Sequence, residues 1–222
     1  MRPEITIIAA ILLSTAIRGR AQRVMSSAGT PAVTAEPLQT GGEAWSFGAT
    51  FSAYIVPDAP DYVCPVFTAD RDWMHLEARY NYEAMDTASL WLGYNFSFGE
   101  KWEFEVTPML GGIFGDTHGI APGYRFSLSR GRFELYSEGE LVFDTHSSSD
   151  SFFYTWSELT WSPDGKFRIG LAGQRTRAYQ TDLDIQRGIL AGYTWKSLDF
   201  TACVLNPDKD EPTLVFTMGV EF

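Results

Sequence analysis

The chain has 222 residues, a formal net charge of −11, 45% hydrophobic residues and 15% aromatic residues. So apolar a composition excludes a disordered chain, and the acidity excludes a nucleic-acid partner, because phosphate binding needs clustered Lys and Arg. Cys64 and Cys203 are too few for a disulfide scaffold or a cysteine-rich zinc site, and no cofactor is read from the sequence.

Residues 1–21 carry an apolar run, ITIIAAILLSTAI at 5–17, behind Arg2. The run is shorter than the ~20 residues of a transmembrane helix and reads as a signal peptide. Gly19 and Ala21 place small residues before a cut at Gln22. Residues 22–44 are rich in Ser, Thr, Pro and Gly and show no period, as a flexible lead-in does.

From Trp45 onward the dominant period is two, the signature of half-buried strands. At 88–98, Ala88, Leu90, Leu92, Tyr94, Phe96 and Phe98 share one face. At 102–110, Trp102, Phe104, Val106 and Leu110 alternate with Glu103, Glu105 and Thr107. At 120–129, Ile120, Tyr124, Phe126 and Leu128 alternate with Gly123, Arg125, Ser127 and Ser129. Strands are expected at 45–56, 62–69, 73–83, 87–98, 102–113, 119–129, 132–144, 152–162, 166–176, 185–195, 198–206 and 213–222. The weakest is 62–69, because Pro65 cannot donate to a ladder. Single-chain bacterial barrels have even strand numbers, so ten or twelve strands are expected, with twelve preferred.

The connections alternate between tight and longer. The tight ones are Asp70–Asp72, Gly99–Lys101, Arg130–Gly131, Pro163–Gly165 and Lys196–Ser197. The longer ones are Pro57–Asp61, Tyr82–Asp86, Gly115–His118, Thr145–Ser151, Arg177–Asp184 and Pro207–Pro212. An up-and-down transmembrane barrel has this rhythm, with short periplasmic turns and longer extracellular loops. Aromatics gather at strand ends, at Phe98, Trp102, Trp161, Tyr193, Trp195 and Phe222, where a membrane barrel carries its interfacial girdles.

With its signal-like start, its strand–turn rhythm over 45–222 and its terminal TLVFTMGVEF, the chain resembles Gram-negative outer-membrane β-barrel proteins of the porin-like kind. Leu214, Phe216, Met218, Val220 and Phe222 match the alternating, aromatic-ended last strand of that family. The resemblance implies an outer-membrane location, contact with lipid and lipopolysaccharide, and Phe222 as an assembly signal read by the barrel-assembly machinery.

If the apolar face meets lipid, parity turns the other face inward. Glu77, Arg79, Glu103, Glu105, Arg125, Glu134, Glu138, Glu140, Asp144, Glu158 and Arg168 then line the lumen, with Asp199 and Glu221. Three arginines cannot neutralise that many acids, and unpaired carboxylates are costly in a dry core. Water along part of the lumen is therefore expected, in a passive channel for small polar or cationic solutes. The alternative is a closed structural or partner-binding barrel. A surface hydrolase is the third reading, but no GxSxG, HExxH, P-loop or CxxC pattern occurs, so no catalytic residue is assigned. Hairpin geometry places Arg125 opposite Tyr136 and Arg168 near Thr160. Glu103, Glu105, Glu134, Glu138 and Glu140 are expected to form one acidic patch beside Arg125.

Overall fold

The computed structural model describes residues 44–57, 59–146, 151–178 and 184–222. The segments expected to be a signal peptide and a flexible lead-in, the latter but for residue 44, and parts of three of the longer connections lie outside the described residues. The strands are β1 (Ser46–Ile55), β2 (Tyr62–Arg71), β3 (Met74–Tyr80), β4 (Thr87–Tyr94), β5 (Phe96–Phe98), β6 (Glu103–Gly115) and β7 (Gly119–Arg130). They continue with β8 (Phe133–Asp144), β9 (Phe152–Trp161), β10 (Phe167–Ala178), β11 (Asp184–Trp195), β12 (Leu198–Leu205) and β13 (Thr213–Glu221).

Every pairing is antiparallel between chain neighbours, β1 pairs with β13, and β4 and β5 both pair with β6. The sheet closes on itself. Strands β4 and β5 are two halves of one stave, interrupted at Asn95, so the barrel has twelve staves. The ladder to β6 lapses at Tyr94 and Asn95, across from Pro108 and Thr107, and Pro108 has no N–H to give. Asn95 is held by other bonds instead, its N–H donating to the Trp73 carbonyl and its Nδ2 to Asp70. Pro65 is accommodated in β2, where it faces outward opposite Phe51.

Alternation decides which face is which. On β4, Thr87, Ser89, Trp91 and Gly93 are buried while Leu90, Leu92 and Tyr94 are exposed. The outer wall carries Phe51, Phe67, Leu90, Leu110, Leu171, Ile189 and Phe216, all large and all exposed. Apolar area of this extent has no place in water but suits hydrocarbon, where only helices and closed barrels satisfy every backbone group.

The tight turns gather at one end. Asp72, Gly99, Gly131, Gly165 and Lys196 all take positive φ there. At Gly99 (φ 107°) a side chain would run into the Trp102 carbonyl, so glycine is required. In the β9–β10 turn, Asp164 accepts N–H bonds from Phe167 (2.7 Å) and Lys166 (2.9 Å), which hold its carboxyl below the ordinary carboxylate range. The exposed aromatics Phe98, Trp102, Trp161, Tyr193, Trp195 and Phe222 ring this tight-turn end. A lighter belt of Tyr80, Phe114, Phe143 and Phe153 rings the long-loop end.

Candidate lumen site

The interior is built in three levels. At the tight-turn end is a polar vestibule, a cavity of about 310 Å³ lined by Thr50, Asp70, His75, Glu105, Thr107 and Glu221 among others. Opposite it, Arg168 forms a two-pronged ion pair with Asp199 (2.6 Å for each bond) and also donates to Thr201. Arg168 reaches β12 by crossing Gly192 of β11. A Cβ on Gly192 would lie 2.6 Å from the Arg168 guanidinium carbon, so that glycine makes the crossing possible.

The middle level is a charged belt with little water access. Glu77, Arg79, Glu138 and Glu140 are each 5% exposed or less. Glu77 accepts from Arg79 Nε (2.5 Å), lies 3.1 Å from Arg125 Nη1, and faces His75 Nε2 at 3.1 Å. The other ring nitrogen of His75 meets Asp70 at 2.7 Å. Glu138 accepts from the hydroxyls of Tyr82 and Tyr136, each at 2.6 Å, and Arg125 Nε stands 3.8 Å away. Arg79 Nη1 donates to Glu140 at 2.9 Å.

The belt is completed by a segment that no strand contains. Residues 81–86, between β3 and β4, turn into the barrel mouth. Asn81 and Asp86 at its two ends take φ of 52° each. The Asp86 N–H donates to Asn81 Oδ1 (2.9 Å), and the Asn81 N–H to the Thr87 carbonyl (2.8 Å). Between them Tyr82 and Glu83 are driven inside, 1% and 3% exposed. The Tyr82 ring lies over the Arg79 guanidinium (4.0 Å), whose other neighbour is the Trp91 ring (4.4 Å). Glu83 accepts from Ser89 Oγ at 2.6 Å and Trp91 Nε1 at 3.2 Å. The segment is a plug stitched to five wall strands, to β2 through Asn81 Nδ2 on the Val63 carbonyl (3.2 Å) and to β3, β4, β8 and β9 through Tyr82 and Glu83.

Toward the long loops the interior turns less polar. Tyr54 stacks on Tyr62 (4.6 Å), and Leu205, Val215, Leu190, Trp156 and Tyr154 pack in the same cluster. Met109, Ile113, Ala121 and Val142 pack with Trp91 on the other side. Cys64 and Cys203 are buried in the wall's inner face as free thiols.

The sequence-derived lumen residues thus fall into different environments. Glu77, Arg79, Glu138, Glu140 and Glu158 are buried inside. Arg125, Glu134 and Arg168 are half-buried, and Glu103 and Glu105 are exposed near the tight turns. Asp144 sits at the opposite rim, where it accepts the His146 N–H at 2.7 Å. The expected single acidic patch is therefore divided: Glu103 and Glu105 are exposed, Glu134 is half-buried, and Glu138 and Glu140 are buried. Two expected registers are also corrected. Arg125 lies opposite Glu138, not Tyr136, and Gly170 rather than Arg168 lies opposite Thr160. Both hairpins turn one residue later than expected, since Arg130 pairs with Phe133 across a Gly131–Arg132 turn and Ile169 with Trp161. A one-residue displacement of the turn moves the pairing by two. Sequence reasoning missed Tyr82, Glu83 and Asp70 as interior groups. The positive-φ-tolerant Asn81 and Asp86 were the one available signal that the chain reverses there.

These features define a twelve-stranded, lipid-faced β-barrel with a polar interior, the architecture of porins. No family model and no curated protein matches the chain. Among solved structures, one titled KdgM porin is similar at 11% identity over 79% of this chain and 99% of that one, with a TM-score of 0.59. A second, titled KdgM porin in complex with disordered oligogalacturonate, matches at 11% identity and TM-score 0.52, covering 80% and 98% of the two chains. NanC porin matches at 9% identity and TM-score 0.52, covering 79% and 98%. At such identities the likeness establishes the fold.

Proposed function

We propose that the protein is an outer-membrane barrel of a Gram-negative bacterium, a narrow passive channel for small polar or cationic solutes. The observation that carries this reading is the acid-rich vestibule opening into a charged interior inside a porin-type wall. Asp70, Glu105 and Glu221 stand at that entrance, and a cleft of one sign raises the local concentration of counter-ions. The same charge argues against a polyanionic solute such as the oligogalacturonate named for the KdgM complex. The tight-turn end then faces the periplasm. Arg175 and Arg187, exposed on the outer face near the long-loop end, are placed to meet lipopolysaccharide phosphates, which arginine binds with paired hydrogen bonds. Residues 1–21 are the export signal, residues 22–44 a periplasmic lead-in, and Phe222 the feature read by the assembly machinery.

A second reading, a closed barrel that binds a partner through its loops, is favoured by the near-complete burial of Tyr82 and Glu83. An enzyme is the weakest reading. The His75–Asp70 pair lacks a hydroxyl nucleophile at the free side of the ring, which faces Glu77 instead. Reconstitution into planar bilayers tests the proposal. Conductance steps with cation-over-anion selectivity support the channel, and silence from folded, heat-modifiable protein supports the closed barrel.

A further inference from the structure

His75 has a carboxylate at each ring nitrogen. Nδ1 meets Asp70 Oδ1 at 2.7 Å, and Nε2 meets Glu77 Oε2 at 3.1 Å. An ionised carboxylate only accepts, and a neutral imidazole has one N–H and one lone pair. Both contacts are hydrogen bonds only when the ring carries both protons. The other neighbour of Nε2 is Arg125 Nη1 at 3.5 Å, a long contact, and the same Nη1 lies 3.1 Å from Glu77 Oε2. Nε2 is therefore placed to give a proton to Glu77 rather than to accept one from Arg125. The ring is buried, and a buried imidazolium persists only where it is paired.

The charged groups about the ring come from four strands. β2 supplies Asp70, β3 supplies Glu77 with Arg79 bound to it, β7 supplies Arg125, and β8 supplies Glu138, 3.8 Å from Arg125 Nε. β4 brings Gly93, where a Cβ would stand 3.2 Å from His75 Cδ2. Asn95 donates to Asp70 at 2.8 Å. The two carboxylates differ in what else serves them. Glu77 is sealed from water and takes both Arg79 and Arg125. Asp70 has a side chain 38% exposed, and His75 is its one ion-pair partner among the described residues. Asp70, His75 and Arg125 line the vestibule together with Glu105 and Glu221.

We infer that His75 sets the ion selectivity of the vestibule: its proton cancels the Asp70 charge at the entrance, and loss of that proton uncovers it. The inference rests on the channel reading and names the residue that tunes it. When the ring titrates, Nε2 gives its proton to vestibule water and Nδ1–H stays on Asp70. Glu77 keeps two arginines. Asp70 keeps its bonds from Nδ1 and Asn95 but has lost its counter-charge. The entrance then carries one more negative charge, which draws cations. Imidazole is the side chain whose charge changes in the physiological range. One unit charge a few ångströms from the ion path changes the local cation concentration about twofold to fourfold at low salt.

Reversal potentials in planar bilayers at low salt, at about pH 5 and about pH 9, read the selectivity. Nitrogen-15 signals of the ring in the detergent-folded barrel read the proton. The chain has three histidines, and His118 and His146 pair in the long loops with rings 4.8 Å apart. Replacing both by Gln leaves His75 as the one imidazole and should leave the selectivity step in place. The ring should carry both protons at the lower pH and only the Nδ1 proton at the higher. The cation-over-anion ratio should rise about twofold to fourfold across the same interval. His75→Gln should flatten that step. Asp70→Asn should abolish it while the ring still titrates. Glu221 lines the same vestibule and has its own titration, so the step must survive Glu221→Gln. A ring neutral at the lower pH or doubly protonated at the higher overturns the inference. A step that persists in His75→Gln, or vanishes in Glu221→Gln, overturns it as well. If His75→Gln does not fold, Asp70→Asn decides, and an unchanged step counts against the site. Silence from the folded barrel refutes the channel and the selectivity with it, whereas conductance without the step refutes the role of His75 alone.

Discussion

Truncating Tyr82 to alanine removes a ring that is 1% exposed and fills the barrel at its charged level. The ring covers the Arg79 guanidinium at 4.0 Å, meets Tyr154 edge-on at 6.1 Å, and its hydroxyl donates to Glu138 at 2.6 Å. The void would be on the order of 100 Å³, room for about three waters. Large aromatic truncations in a dry interior cost about 3–5 kcal/mol, and water entering the void reduces that figure. Tyr82→Phe is the control. It keeps the volume and loses only a bond to a charged acceptor, at about 1.5–3 kcal/mol, while Glu138 retains the Tyr136 hydroxyl. Urea unfolding of both variants gives the stability series. Planar-bilayer recording gives the other half: single-channel conductance should rise at least twofold for Tyr82→Ala and stay within error of wild type for Tyr82→Phe. If the alanine variant unfolds at the wild-type urea midpoint and conducts no better, Tyr82 neither braces nor blocks the interior. The description of residues 81–86 as a plug would then fail.

Other outcomes follow from the same geometry. Glu103→Gln with Glu105→Gln should weaken cation selectivity, most clearly at low salt where screening is least, with little change in thermal stability. Glu138→Gln with Glu140→Gln should do the reverse, lowering the unfolding temperature by several degrees. Deleting Phe222 removes two backbone bonds to Phe47, of 2.9 and 3.0 Å, and an aromatic stack at 6.0 Å. The amount of heat-modifiable barrel in the outer membrane should fall severalfold, and an unchanged amount would remove its assembly role. An epitope tag in Gly99–Lys101 should stay hidden from antibody on intact cells while one at Asp208–Asp210 is reached. The opposite pattern would invert the topology. Gly192→Val should displace Arg168 from Asp199 and cost about 1–3 kcal/mol in urea unfolding.

The wall was legible because its signal is periodic and repeated. Each outward row, such as Leu90, Leu92 and Tyr94, needs only the two-residue pleat and a lipid face to be read. The turns were legible through Gly99, Gly131, Gly165 and the short polar clusters around them. The plug was not, because Tyr82 and Glu83 look like a strand end followed by an outer loop. Their burial depends on Arg79, Trp91 and Glu138, partners as far as 56 residues away. Apolar groups on the inner face were also hidden. Met109, Ile113, Val142, Leu190, Leu205 and Val215 face inward, and the charge on that face elsewhere, which points to water along part of the lumen, gives no sign of them. Period two assigns a face to each residue, but it carries no information about how densely the enclosed volume is filled.

The seam between β1 and β13 imposes an order on manufacture. Ser52 and Thr217, which share a hydrogen bond across it at 3.0 Å, are 165 positions apart. Every other wall pairing joins strands adjacent along the chain and can form locally, whereas this one must wait for the last strand to be synthesised. Until then both edges stand open, each offering unpaired backbone groups and a row of exposed apolar side chains, Phe47, Phe51 and Ile55 on β1 and Phe216 and Met218 on β13, to any similar chain nearby. A barrel of this design cannot be completed piecemeal as it leaves the ribosome. Its precursor has to be kept from pairing with its neighbours until the first and last strands can meet, which makes escort of the unfolded chain a requirement of the topology.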